Sequence, residues 1–274
     1  MSPGLPAASE LPRVAARLEH DGLVLRLLLD APPTNVLDTE MVRSLRKAVR
    51  AARDLPDLRL LVFTGAGDHF SYGASVEEHL PDRVAGMLAE FHGLFRDLME
   101  TDVPTLAYVR GRCLGGGLEL ASFCDWLWAE ETATLGQPEI KLGVFAPLGS
   151  LLLPWRCGAQ ATGLLLTGEA VDAITALTMG LADHVVPTED GTTILDRWIR
   201  DHLLPLSPSS LRRARRAARW SFHRTLAGDL EALEQFYLED LMATPDAEEG
   251  IRAFLEKRNP EWSGAGDAVG GSES

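Results

Sequence analysis

Apolar positions along the chain alternate between two spacings. Leu23–Leu29 is a nearly continuous apolar run of β type, broken at once by Ala31-Pro32-Pro33-Thr34. From Thr39 to about Ala52 the spacing becomes helical, with Met41, Leu45, Ala48 and Val49 on one face and Asp38 placed to cap the start. Leu58–Thr64 (LRLLVFT), ended by Gly65-Ala66-Gly67-Asp68, suits a fully buried strand. A longer helical repeat follows from about Pro81 to Met99, carried by Val84, Met87, Leu88, Phe91, Leu94, Phe95 and Leu98. Beyond Pro104, Thr105–Val109 is another short apolar run that leads into Gly111.

Strand, turn and helix recur in that order, which predicts an α/β layered fold with its strands covered on both faces. From about Asp190 onward only helical patterns remain, with Pro205–Pro208 (PLSP) separating two helices. Residues 1–11 are rich in Pro, Ala and Ser, and residues 263–274 are acidic and rich in Gly and Ser. Both ends are expected to be disordered. This leaves a core over 12–190 and a helical region over 191–262.

The composition, 46% apolar and 24% charged over 274 residues, excludes a disordered chain, a collagen and a short disulfide scaffold. With 26 Lys+Arg against 40 Asp+Glu the net charge is −14. Such a chain is repelled from nucleic acid and anionic membrane, so a polyanionic ligand must meet local positive charge. Cys113, Cys124 and Cys157 sit among apolar or small residues and read as buried thiols of a reducing compartment. No secretory start and no membrane-spanning run is present, so a cytoplasmic protein is expected.

Several motifs fail. Gly65-Ala66-Gly67 lacks the third glycine of a dinucleotide fingerprint, and no glycine precedes Lys-Ser or Lys-Thr as in a phosphate loop. Gly73-Ala74-Ser75-Val76-Glu77 misses the last glycine of a hydrolase elbow. The scattered histidines predict no metal site.

Chemistry concentrates in the stretch from Gly111 to Asp125, where a strand runs into Gly115-Gly116-Gly117 and then a helix-compatible segment. Three ordered glycines need a reason. One reading is close approach of a ligand to bare amides at a helix start, which suits an oxyanion. The other is a packing turn between helix and strand. Glu119 lies just inside this helix among apolar residues, and Glu139 lies beside Pro138 and Ile140. Such carboxylates serve as acid and base if their pKa values are driven apart, or are ordinary surface groups. Ser75 and Glu78 fit a capping box, which places the Ala74 amide at a second helix start.

Taken together these residues resemble the enoyl-CoA hydratase/isomerase, or crotonase, family over about Leu23 to Trp262. The resemblance rests on Asn35-Val36-Leu37, on Phe70-Ser71-Tyr72-Gly73-Ala74, and on Gly115-Gly116-Gly117-Leu118-Glu119-Leu120-Ala121 followed by Cys124-Asp125. It continues with Gly136-Gln137-Pro138-Glu139-Ile140-Lys141-Leu142-Gly143, Leu166-Thr167-Gly168, Gly180-Leu181-Ala182 and the Glu249–Arg258 helix. The resemblance implies a spiral of ββα units with a helical C-terminal trimerisation region, assembled as a homotrimer or a dimer of trimers. It implies an acyl-CoA thioester substrate, CoA being part of that substrate, and no cofactor. The Ala74 and Gly116 amides would hold the thioester oxygen, Glu119 would deprotonate water and Glu139 would protonate carbon. Tyr72, Gly73, Gly115 and Phe145 would contact substrate. Phe254 and Lys257 match positions that reach the CoA of a neighbouring subunit.

The chain also departs from the common pattern. Ser75-Val76-Glu77 replaces the usual acidic and lysine positions, which alters the expected adenine-side contacts. Phe145-Ala146-Pro147-Leu148-Gly149-Ser150 replaces a glycine-rich stretch that should line the acyl pocket. The string Phe70–His79 (FSYGASVEEH), with Gly143-Val144-Phe145, is similar to the branch whose members hydrate cyclohexa-1,5-diene-1-carbonyl-CoA. Straight-chain enoyl-CoA hydration, double-bond isomerisation and ring hydrolysis are the alternatives on this scaffold. Leu211–Arg219 packs five arginines, read as a solvated or ion-paired helix face rather than an RNA contact. His79 and His92 could approach the pocket but are read first as surface or satisfied core histidines, and the tryptophans as core or interface.

Overall fold

The computed structural model describes residues 4–264. Strand β1 (Val14–Glu19) forms an antiparallel hairpin with β2 (Val24–Leu29), Val14 facing Leu29 and Glu19 facing Val24. The sequence pattern did not reveal β1, because it is an edge strand with only Val14 fully buried, and its VAARLE run carries no apolar stripe. Helix α1 (Thr39–Arg53) starts where Asp38 accepts a hydrogen bond from the Met41 amide at 2.8 Å. Strand β3 (Leu60–Gly65), helix α2 (Val84–Glu100) and strand β4 (Thr105–Val109) follow. Every residue of β3 and β4 is buried, as parallel strands covered on both sides require.

After β4 the chain alternates between two sheets. Strand β5 (Arg112–Leu114) leaves the main sheet, helix α3 (Gly116–Phe123) returns, β6 (Trp126–Glu130) rejoins it, and β7 (Thr134–Gly136) leaves again. Helices α4 (Pro147–Cys157) and α5 (Ala161–Thr167), strand β8 (Ala170–Asp172), helix α6 (Ala173–Thr178) and strand β9 (His184–Val186) complete the spiral. The main sheet has the order β1-β2-β3-β4-β6-β9, parallel beyond the first pair, and the small sheet the order β5-β7-β8. This is the strand-strand-helix repeat expected.

One face of the main sheet packs on α1, α2 and α3 through Phe63, Phe95 and Phe123. The other is covered by α7 (Gly191–His202), whose Leu195 and Ile199 meet Val62, Leu106 and Trp128. Trp126, Trp128 and Trp198 cluster there, with Trp198 within 5.2–5.3 Å of the other two rings; Trp128 is core, Trp126 and Trp198 pack on it partly buried, and Trp155, Trp220 and Trp262 are exposed, not core. Helix α8 (Pro208–Ala218) begins at the predicted break, capped by Ser207. Helix α9 (Trp220–Phe236), a π turn (Tyr237–Leu241) and helix α10 (Pro245–Glu256) then run back to the spiral.

The arginine-rich stretch is not a free cationic face. Arg215 and Arg219 are buried, and both donate to Asp125, at 2.6 and 2.9 Å. Asp125 also accepts from the Thr105 amide at 2.8 Å. Burial raises the Asp125 pKa, but the two arginines outweigh it and hold the carboxyl below its ordinary value. Arg219 further donates to the Cys124 carbonyl and lies over the Trp155 ring. The Cys124-Asp125 pair is therefore the bolt between the spiral and the C-terminal helices.

Two local expectations are corrected. Residues Val76–His79 form a 3-10 turn, and the Ser75 side chain does not cap it. Glu78 instead accepts from the Thr39 amide of α1, a tertiary contact that wins over the local box. Within the 1–11 stretch expected to be disordered, Ala8–Glu10 form a 3-10 turn and Leu11 is buried in the core. Of the expected disordered tail, Ser263 donates to Asp246, while residues 265–274 lie outside the described residues.

Replacing Asp125 by Ala strands two buried guanidinium groups. Asp125→Ala is expected to cost about 3–5 kcal/mol in unfolding free energy, read by urea denaturation. A loss below about 1 kcal/mol would show that the bolt is dispensable.

Candidate active site

The glycines after β5 are explained by packing against a second loop. Gly115 has φ +51°, and a Cβ there would sit 2.5 Å from Glu139 Oε1. A Cβ on Gly117 would press on Ser71 at 2.7 Å, and one on Gly116 would approach the Ala74 amide nitrogen at 3.1 Å. Gly73, at φ +100°, leaves only 2.8 Å between such a Cβ and the Leu114 carbonyl oxygen. The packing-turn reading of the glycines holds, and the same joint brings two amides together.

The Ala74 and Gly116 amides are the pair brought together. Gly116 is the first residue of α3, where amides have no intrahelical acceptor. The bridge between Leu37 and Ala74 uses the Gly73 carbonyl, which accepts from Leu37 at 2.8 Å, and leaves the Ala74 N–H out. The loop is pinned from below. Ser71 Oγ donates to the Asn35 carbonyl at 2.8 Å and accepts from the Gly73 amide at 3.0 Å. The Asn35 side chain donates to the Ala66 and His69 carbonyls, both at 2.9 Å.

Glu119, in the first turn of α3, is only 4% exposed, and its Oε1 accepts from the Gly149 amide at 2.6 Å. Burial raises its pKa, and the neighbouring Glu139 charge raises it further. Glu139 lies in a 3-10 turn (Pro138–Leu142), partly exposed as a residue but with Oε2 buried and without a partner among the described residues. Burial also raises its pKa, partly offset by its own backbone and the nearby Gln137 side chain. Burial of both carboxyl groups disfavours ionising the two together. One base and one acid side by side can take a proton from one atom and give one to another.

A cavity of about 400 Å³ opens beside this pair. Of the sequence-derived site residues, Tyr72, Gly73, Ala74, Gly115, Glu139 and Phe254 line it. Glu119 and Gly116 are buried and do not line it. One expectation is corrected. Phe145 is not on the cavity wall but packs against Phe236 and Tyr237, with ring centroids 5.4 and 5.2 Å away. Lys257, expected to reach a neighbouring subunit, does not line the cavity of its own chain; it ends α10 in a left-handed conformation at φ +56°. Phe254, expected to reach a neighbouring subunit, contributes to the cavity of its own chain.

Further residues stand on or beside the cavity wall. His79 lines the cavity, with Nδ1 2.8 Å from the Ser75 carbonyl oxygen and its pKa lowered by burial. Arg258 lines it too and is held by Glu249 and Glu256. Gln137 is buried next to Glu139, which its place in the Gly136–Glu139 motif signalled. His92, by contrast, contacts Glu234 at 2.5 Å, a satisfied core histidine.

Known proteins share this architecture. A family model described as enoyl-CoA hydratase/isomerase matches residues 19–265. Cyclohexa-1,5-dienecarbonyl-CoA hydratase of Thauera aromatica is 46% identical over 246 residues, 89% of this chain and 95% of that protein. A probable enoyl-CoA hydratase of Mycobacterium tuberculosis is 36% identical over 250 residues, 90% of this chain and 96% of that protein. Among solved structures, an enoyl-CoA hydratase from Mycobacterium avium superposes with a TM-score of 0.81 at 29% identity, over 92% of this chain and 99% of that chain.

The raised pair has a pH signature. Each folded-state pKa lies above the ordinary glutamate value of 4.5, so above that pH the folded chain binds more protons than the unfolded one. The stabilisation this gives is present at low pH and lost as pH rises through the folded-state values. Relative to the parent, Glu119→Gln is expected to gain stability between about pH 5 and about pH 8, read by thermal unfolding at each pH. A difference that does not change with pH would show that the carboxyl titrates normally.

Proposed function

The chain belongs to the enoyl-CoA hydratase/isomerase family, and on that premise we propose that it adds water to a conjugated enoyl- or dienoyl-CoA thioester, as a hydro-lyase, with cyclohexa-1,5-diene-1-carbonyl-CoA as the preferred substrate. The observation that carries the chemistry is that Glu119, on the first turn of α3, and Glu139, whose Oε1 abuts Gly115 at the start of that helix, are both enclosed beside two adjoining amides. Support for the acyl group is the 46% identity to a hydratase named for that dienoyl thioester.

In this reading the thioester oxygen accepts from the Ala74 and Gly116 amides. Glu119 takes a proton from water, and the water oxygen bonds to the β-carbon of the alkene. The displaced π electrons move onto the thioester oxygen, giving an enolate, or a dienolate when the acyl group is the cyclic diene. Aimed amide dipoles stabilise that charge, each donor contributing about 3–4 kcal/mol. Glu139 then protonates carbon, at the far end of the diene in the cyclic case, and the electrons return from oxygen. Glu119 ends protonated and Glu139 ionised, and proton exchange within the pair restores the start.

Assembly belongs to the same proposal. A homotrimer or dimer of trimers is supported by large apolar side chains left outside on the C-terminal helices, among them Trp220, Phe236 and Phe254, which are 57%, 52% and 56% exposed. Lys257, off its own cavity, is then free to meet CoA from a neighbouring site. A cytoplasmic location is supported by three buried free cysteines. No described helix is long and apolar enough to cross a membrane.

The test is a panel of CoA esters, cyclic dienoyl against straight-chain enoyl, incubated in heavy-oxygen water and read by mass spectrometry. The label is expected in a hydroxyl group of the thioester product, fastest from the cyclic diene. Glu119→Gln and Glu139→Gln are each expected to lower the rate about 10²–10⁴-fold while CoA-ester binding persists. A labelled free acid would mean hydrolysis, an unlabelled double-bond shift would mean isomerisation, and parental rates in both variants would remove the assigned roles.

A further inference from the structure

Tyr237 is 1% exposed, and its hydroxyl is buried without a hydrogen-bond partner among the described residues. Buried hydroxyls are almost always satisfied, so one that is not calls for a reason. It stands in the π turn after α9, where the Met242 amide donates to the Tyr237 carbonyl at 2.9 Å. Such turns are rare and recur at functional sites.

The ring is fixed edge-on against Phe145, centroids 5.2 Å apart. Phe145 sits in a segment that touches both carboxylate residues. Before it, the Val144 amide donates to the Glu139 carbonyl at 3.3 Å. After it, the Gly149 amide in the first turn of α4 donates to Glu119 Oε1 at 2.6 Å. Burial first, and then the charges of Glu139 and Glu119, push the phenol pKa far up. The hydroxyl thus feels both carboxylates and keeps its proton, as a donor must.

We propose that the Tyr237 hydroxyl is a third hydrogen-bonding group on the reacting water, holding it between Glu119 and Glu139 from the side of the C-terminal helices. This rests on the hydratase reading above. The hydroxyl neither gains nor loses a proton over the cycle. It fixes the oxygen of the incoming water, and in the reverse direction the hydroxyl of the hydrated thioester.

The test is Tyr237→Phe, which keeps the ring contact with Phe145 and removes one oxygen. Removing an unpartnered buried hydroxyl is expected to leave the melting temperature unchanged or raise it. With cyclohexa-1,5-diene-1-carbonyl-CoA or a straight-chain enoyl-CoA, whichever the parent hydrates, KM is expected to stay within about twofold while kcat falls about 10- to 100-fold. The pH–rate profile should shift, because the carboxyl pair loses a neighbouring dipole. A kcat and a pH profile equal to the parent's would overturn the proposal. If Glu119→Gln and Glu139→Gln are inactive while Tyr237→Phe is parental, this inference alone fails. If those glutamine variants, or the parent itself, contradict hydration, the premise fails and the inference goes with it.

Discussion

Close contact between two stretches of bare backbone organises this molecule. The start of α3 can press on the 70–74 loop only because Gly115, Gly116 and Gly117 present no side chain there. A methyl group at any of them would meet Glu139, Phe91, the Ala74 amide or Ser71 at 3.1 Å or less. The same contact sets two amides side by side and turns Glu119 inward on the first turn of the helix. A carboxylate so enclosed is costly to ionise, which is why the Gly149 amide on it matters. Structure and proposed chemistry thus share one cause: a packing requirement that also exposes amide dipoles and buries acids.

The second constraint is electrostatic and lies away from the cavity. Asp125 follows α3 by two residues and gathers Arg215 and Arg219 from the C-terminal region. Buried ions are tolerated when every partner is present, and here the Thr105 amide and hydroxyl complete the set around Asp125. Anchoring α8 and the start of α9 this way fixes where the later helices pass. Those helices then deliver Tyr237 against Phe145 and Phe254 to the cavity wall. The arginine cluster, read from the sequence as a solvated or ion-paired face, acts through its ion pairs as the hinge pin of the helical region.

Much of the architecture was legible along the chain. The uninterrupted apolar runs at Leu58–Thr64 and Thr105–Val109 announced buried parallel strands, and the Asp38 cap and the Pro208 break marked helix limits where they lie. These signals are local: periodicity, capping and turn chemistry operate over a few residues. Strand β1 escaped because an edge strand needs no apolar stripe, and the box at Ser75 misled because a distant amide, that of Thr39, claimed Glu78.

By itself the sequence determined the strand-and-helix order, the glycine joint, and which acids stood in apolar surroundings; each follows from residue type and short spacing. Only the tertiary structure decided that Glu139 packs against the glycine start of the helix that carries Glu119, that Arg215 and Arg219 are spent on Asp125, and that Phe145 supports Tyr237 instead of lining the cavity. Coulomb and packing forces act through space, and the pairs they join here lie far apart along the chain, where no local pattern can register them.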